Sequence, residues 1–256
     1  MTMNRQNIEK LIVNTIARET ADAHIQTRYR KPQISLAEIE NEKFKQLKSV
    51  IGDYHLMPDD LLPDAQSIVV FFLPFSKQII TANARSPYVA REWAIAYIET
   101  NNLIRHICDT LVRALKEMGT EAAWQPPTGS VEGNLGARWS HKSAAVLAGL
   151  GSFGLNRLVI TDSGCAGRFG SLILDAKLTP NIREYKERCL HFHDKSCQKC
   201  IEQCPANAFK NDGGFDGTIC RQYLDKADAY LTDLPRSHVC GKCSVGLPCS
   251  MSSAVK

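Results

Sequence analysis

Cys197, Cys200, Cys204 and Pro205 read C-x2-C-x3-C-P, and Cys220, Cys240, Cys243 and Cys249 follow, so that seven cysteines fall within 53 positions. This spacing constrains the chain more than any other feature. Iron–sulfur clusters are held by cysteine thiolates, and a cysteine that precedes proline in such a run ligates the other cluster of a pair. Soft thiolates select iron–sulfur clusters or zinc over hard cations. Zinc sites usually come as two C-x2-C pairs, whereas here three close cysteines end in proline. The expectation is two [4Fe-4S] clusters in a region that follows a separate N-terminal domain. Each cluster takes four thiolates, so the seven cysteines from 197 onward are one short.

The rest of the composition narrows the class. With 256 residues, 44% hydrophobic and 23% charged, the chain is an ordinary soluble protein of one large or two smaller domains. A net charge of +4 is mild, and no stretch interleaves Lys/Arg runs with aromatics, which argues against a nucleic-acid binder. The longest apolar run, Ile68 to Leu73, is too short to span a bilayer. The first twenty residues lack the continuous apolar stretch of a secretion signal. A cytoplasmic protein without membrane association is therefore expected. In that compartment ten cysteines favour metal or redox chemistry over disulfides.

Hydrophobic periodicity predicts an amphipathic helix over 4–19, a buried strand over 67–73 closed by Pro74, and a long helix over 88–118 ended by Gly119. Cys108 lies beside the apolar stripe of that helix, as a small core residue would. Residues 124–138 form a loop rich in Gly and Pro, and a loop of that length is often functional. Ser140 can cap a short helix reaching Ala148. Gly149-Leu-Gly151-Ser-Phe-Gly154 matches G-x-G-x-x-G formally. A dinucleotide site needs that motif after a strand and before a helix, whereas here it follows a helix and opens a strand over 155–161. It reads instead as a tight connection that lets another group approach the backbone. Asp162 to Gly167 is a turn carrying Cys165, read as a loop residue, and 169–174 is the returning strand. Residues 180–188 read as a linker, which sets domains at 1–180 and 181–256.

Ala148-Gly-Leu-Gly-Ser-Phe-Gly154, an apolar strand, a glycine-containing turn, Arg168-Phe-Gly-Ser-Leu-Ile-Leu-Asp175 and the cysteine region together resemble the epoxyqueuosine reductase family over roughly residues 65–250. Those enzymes and the reductive dehalogenases share one plan. An α/β (α+β) nitroreductase-like domain binds base-off cobalamin, and a small ferredoxin-like domain with two [4Fe-4S] clusters follows it. The resemblance implies an oxidoreductase that takes electrons from a low-potential donor, a ferredoxin or flavodoxin. Carried over by position, Cys197, Cys200 and Cys249 serve one cluster, and Cys204, Cys220, Cys240 and Cys243 the other. The family's first cysteine falls on Asp194, so the eighth ligand is Cys189, favoured for its softness, or Asp194, with His191 and His193 as third choices. The spacing from Cys243 to Cys249 also exceeds the family's.

The resemblance further assigns Gly149, Gly151 and Gly154 to cobalamin binding, with Lys142 able to pair with a phosphate. The family's proton donor falls on Leu135, which leaves Glu132 in the same loop and His141, in a Ser-His-Lys stretch that some family members share, as candidate proton donors. The chain ends seven residues after its last cysteine, without the helical-repeat tail many of these enzymes carry, which argues against a tRNA substrate. A reducible small molecule, a modified nucleoside or the cobalt of another corrinoid protein are the expected alternatives. The other expectation, of a different class, is a non-catalytic ferredoxin-like electron carrier without corrinoid.

Overall fold

The computed structural model describes residues 5–21, 24–126, 137–180, 186–210, 214–235 and 237–255. In chain order these contain α1 (Arg5–Thr20), β1 (Gln33–Glu38), α2 (Asn41–Ile51), α3 (Pro58–Leu61), β2 (Ser67–Pro74), α4 (Lys77–Arg85), α5 (Arg91–Glu117), β3 (Ala122–Trp124), α6 (His141–Leu147), β4 (Gly151–Phe153), β5 (Val159–Thr161) and β6 (Gly167–Leu174). The cysteine region adds α7 (Leu190–Asp194), α8 (Lys199–Glu202), α9 (Gly217–Tyr230) and a 3₁₀ turn, Lys242–Ser244. The fold is mixed α and β, with an antiparallel sheet in the order β1-β2-β6-β3.

The sheet is covered on both faces, and the period-two alternation of a strand explains how. Val69, Phe71 and Leu73 point to one side, with Leu172 and Leu174, and pack on Ile8, Ile12 and Ile16 of α1 and Ile104, Ile107, Leu111 and Leu115 of α5. Ile68, Val70 and Phe72 point to the other side, with Phe169 and Ile173, and pack on Ala144 and Ala145 of α6, Phe44 of α2 and Trp139. A strand so enclosed has no polar face to show, which is why β2 reads as a continuous apolar run. The side chains on α5 recur every three or four residues, as one buried helical face requires, and each contributes roughly 1.5–3 kcal/mol through burial. Cys108 lies in this core, fully buried.

One expected element differs. Leu155 to Thr161 is not a single strand. The glycine segment itself supplies β4, residues 154–158 turn back with Arg157 at φ +60°, and β5 pairs with β4. Nor does β6 return along β5; it inserts between β2 and β3 in the main sheet. The turn at Arg157 breaks the run because Asn156 bonds locally, its Oδ1 accepting from Leu158 N at 3.1 Å.

The cysteine-bearing segment is joined closely to the body. Asn83 Nδ2 donates to Cys240 O at 2.9 Å, Asn156 Nδ2 to Cys243 O at 2.8 Å, and Cys165 N to Cys249 O at 2.9 Å. Lys242 Nζ donates to the carbonyls of Asn83 and Ser86 at the C-terminal end of α4. Arg30 spans three segments, reaching the carbonyls of Phe75, Ser163 and Met251. Asn83 and Asn156 are themselves buried, at 0% and 4% exposure. Their amides meet the rule that buried polar groups find partners by fixing the backbone of two cysteines.

Candidate metal centre

Eight of the ten cysteines gather into two sets of four. Cys189, at the start of α7, Cys197, Cys200 on α8 and Cys249 line one apolar recess together with Leu155, Ile160 and Leu247. Burial, followed by the neighbouring Cys249, Cys189 and Cys197, pushes the Cys200 thiol up to about 12. Cys204 just beyond α8, Cys220 in the first turn of α9, Cys240 and Cys243 form the second set. Burial, then Cys240, Cys220, Cys204 and, from the first set, Cys200, pushes Cys243 up to about 12. Burial raises Cys220 and Cys240 as well, with the other thiols of the set adding to it.

This donor chemistry fits iron. A thiol binds metal as its thiolate, and metal binding releases the proton that burial and like neighbours hold on the free thiol. Four soft sulfurs in an apolar recess have no other evident use for that arrangement, since all ten cysteines are unpaired by disulfides. Asp194 stands outside the set. It is exposed, and its Oδ1 accepts from Ser196 N at 2.9 Å, so that the carboxylate closes its own turn. His193 is exposed, and neither His191 nor His193 lines the recess.

Cys165 is the ninth thiol at this centre. It is 3% exposed and packs with Cys189 and Cys200, its backbone N donating to Cys249 O at 2.9 Å and its Sγ to Ser244 O at 3.9 Å. Sequence reasoning placed Cys165 in a bland turn. The missed signal was its glycine neighbour: Gly164 has φ +79°, and an added Cβ would collide with the backbone of Ser250 and Met251.

Gly241 has a similar role beside the second set. Its φ is +70°, and a Cβ there would meet the ring of Trp93, itself packed edge-on against Phe75. The backbone cannot yield, because Cys240 and Lys242 on either side are tied to Asn83. Gly241→Ala is therefore expected to destabilise the protein by about 2 kcal/mol or more. Iron loss from the second set should accompany it. Chemical denaturation and iron analysis of the variant check both.

The predicted catalytic and cofactor residues fall elsewhere. Glu132 and most of the loop 124–138 lie outside the described residues. His141 is 7% exposed, with Nδ1 at 2.8 Å from Ser171 Oγ and Nε2 at 3.5 Å from Pro126 O. Burial lowers its pKa to about 4, Arg168 adding to the effect, so at neutral pH the ring is neutral and held within the fold. Both ring nitrogens thus have partners within the fold. The three glycines lie at the end of α6 and in the hairpin that follows it. Gly149, φ +71°, ends α6, and the space at Gly151 and Gly154 is taken by Ile160 of the adjoining strand. The close approach they permit is that of their own hairpin.

Three cations converge near the second set. Lys142 Nζ donates to Arg157 O at 3.1 Å. The residue is exposed, with Cys243, Arg157 and Arg168 as its charged neighbours. The Arg168 guanidinium stacks 4.2 Å from the centre of the Tyr97 ring.

No family model matches the chain. Among curated proteins, it is 24% identical over 188 residues to an epoxyqueuosine reductase of Bacillus subtilis, covering 71% of this chain and 45% of that one. It is 29% identical over 177 residues to an epoxyqueuosine reductase of Cyclobacterium marinum, covering 67% and 52%. The chain thus spans about half the length of the curated relatives it matches. Among solved structures, an epoxyqueuosine reductase bound to an epoxyqueuosine-modified tRNA stem loop superimposes with a TM-score of 0.62 at 17% identity, covering 96% of this chain and 66% of that one. A catabolic reductive dehalogenase gives 0.58 at 14%, covering 98% and 37%. No helix among the described residues is long and apolar enough to cross a membrane. The resemblance carried by the glycine turn and the cysteines is thus met at two levels: this chain has epoxyqueuosine reductases as its curated relatives, and it has their fold.

Proposed function

We propose that this protein is an iron–sulfur oxidoreductase. In this reading Cys189, Cys197, Cys200 and Cys249 hold one [4Fe-4S] cluster and Cys204, Cys220, Cys240 and Cys243 hold a second. The N-terminal part, nitroreductase-like in plan, binds a corrinoid at which the substrate is reduced, and residues 181–256 form the ferredoxin-like unit. The observation that carries the reading is the gathering of eight cysteines into two sets of four. When bound, the clusters and the corrinoid supply low-potential one-electron chemistry.

The protein's own contribution is positioning and exclusion of water. Asn83, Asn156 and the Cys165 amide fix the backbone of Cys240, Cys243 and Cys249. Leu155, Ile160 and Leu247 keep the first recess dry, which bears on potential because solvent access is one of its determinants. Lys142, Arg157 and Arg168 would hold the anionic tail of the corrinoid. A ferredoxin or flavodoxin is the electron donor that such potentials call for. One observation favours the simpler reading of an electron carrier without corrinoid: the space at Gly151 and Gly154 is already filled by Ile160.

Electron paramagnetic resonance of cluster-reconstituted protein mixed with cob(II)alamin separates the two. A base-off cobalt spectrum distinct from that of the free cofactor is the expected result. An unchanged cobalt spectrum beside reducible cluster signals would leave the electron carrier.

A further inference from the structure

We propose that Arg188 is a positioning residue for the first cluster: its buried guanidinium, clamped to Asp162, holds the backbone from which Cys189 enters the recess. This rests on the reading that Cys189, Cys197, Cys200 and Cys249 hold a cluster. Cys189 is the member that needs an anchor of its own. It stands eight positions before Cys197, outside the short C-x2-C-x3-C run that places its neighbours. A longer connection costs more to close and leaves the 189 thiol more places to be.

The anchor has a backbone part and a side-chain part. Cys189 N and Arg188 N both donate to Glu187 Oε1 at 2.7 Å, and Arg188 N also donates to Ser152 Oγ at 3.2 Å. Ser152 lies on β4 and is fully buried. Cys189 O accepts from His193 N at 2.9 Å, which opens α7. The peptide groups on both sides of the 189 side chain are thus held. The side chain of Arg188 adds a second tie. The residue is 5% exposed, and a charge so deep in a protein has to be paired and hydrogen-bonded. Its Nε and Nη2 both donate to Asp162 Oδ1 at 3.1 Å, and its Nη1 donates to Lys186 O at 3.1 Å.

Asp162 follows β5 directly, two residues after Ile160, whose side chain lines the recess. The clamp therefore joins the segment that carries Cys189 to a strand that walls the recess. A guanidinium suits the place because its donors diverge in a fixed fork, to a carboxylate on one side and a carbonyl on the other, whereas an ammonium offers its donors from one point. The carboxylate is the accessible end, with 59% of the Asp162 side chain exposed against 6% for Arg188. Removing its charge leaves a buried cation without its counter-ion, and the residue beside Cys189 must shift to reach water. Groups that orient a metal ligand are typically worth roughly 10- to 100-fold in metal affinity, and the first cluster should loosen by that order without the clamp.

The test follows iron release from the reconstituted full chain to a chelator without oxygen, for wild type, Arg188→Gln, Asp162→Asn and Asp162→Glu. Asp162→Asn changes only the charge of an exposed side chain, and it carries the test if Arg188→Gln does not fold. In both of these variants about half of the iron should leave at least about tenfold faster than in wild type, and the rest at the wild-type rate. Electron paramagnetic resonance after the fast phase should show one cluster signal gone and the other intact. Asp162→Glu, which keeps the carboxylate, should bring the fast half back toward wild type. In a Cys189→Ala background Asp162→Asn should change nothing further, since the cluster it supports is already lost. Wild-type release in Asp162→Asn overturns the proposal. Equal acceleration of both halves also overturns it, since that marks a general loosening of the fold. A wild type that takes up no cluster at all sinks the underlying reading instead, before any variant is compared.

Discussion

Replacing Cys189 by alanine is expected to remove about half of the protein's iron, whereas Asp194→Ala leaves the iron content unchanged. The family resemblance points to position 194 for this ligand, and the residue there is an acid. The fold offers a different route along the chain. Cys189 stands at the start of α7 and its thiol enters the recess with Cys197, Cys200 and Cys249, while Asp194, at the far end of that helix, faces solvent and bonds Ser196. Softness points the same way, since thiolate sulfur is preferred to carboxylate oxygen by cluster iron. Each cluster holds four irons, so loss of one site is a loss of about half. Iron and acid-labile sulfide assays on the two variants check it. Iron lost with Asp194 and retained without Cys189 would reverse the assignment.

The second large effect is on acid stability and concerns His141. Its folded-state pKa is lowered to about 4 from 6.5, chiefly by burial. The unfolded chain therefore takes up a proton on this ring as pH falls through 6.5, while the folded protein does not until pH approaches 4. The unfolded state binds more protons in that window, so stability falls as pH falls. The loss between pH 6.5 and 4.5 is about 2 to 3 kcal/mol from this one ring. Chemical denaturation at the two pH values, compared between wild type and His141→Gln, isolates the contribution. The wild type should lose that much more than the variant. Parallel losses would show that the ring titrates normally.

Much of the fold was legible in residues with strong periodicity. The run from Ser67 to Pro74 and the stripe from Ile104 to Leu115 announced the central strand and the helix across it. Ser140 announced the cap of α6, where its Oγ accepts from Ser143 N at 3.1 Å. The hairpin at Gly151 was not legible, because its turn depends on Asn156 bonding locally and on Ile160 filling the space at two glycines, both consequences of folding. Nor was α9, whose helix carries Cys220 but buries only Ala227 and so lacks a clear apolar stripe.

The metal centre was legible as a set of residue types and spacings, but not as a shape. Cysteine spacing announced thiolate chemistry, and the resemblance divided seven of the cysteines between two sets. The eighth member and the place of Cys165 depend on contacts between segments far apart in the chain, 189 with 249 and 165 with 249, which no local pattern encodes. Asn83 and Asn156 were equally silent. Each is an unremarkable polar residue until folding buries it against a cysteine carbonyl.

The most direct test of the account is the count of iron and acid-labile sulfide in the full chain, reconstituted and handled without oxygen. Two cubane clusters require about eight of each per chain, with two reducible paramagnetic signals on addition of dithionite. About four of each, or zinc bound in place of iron, would contradict the two sets of four on which the proposed function stands.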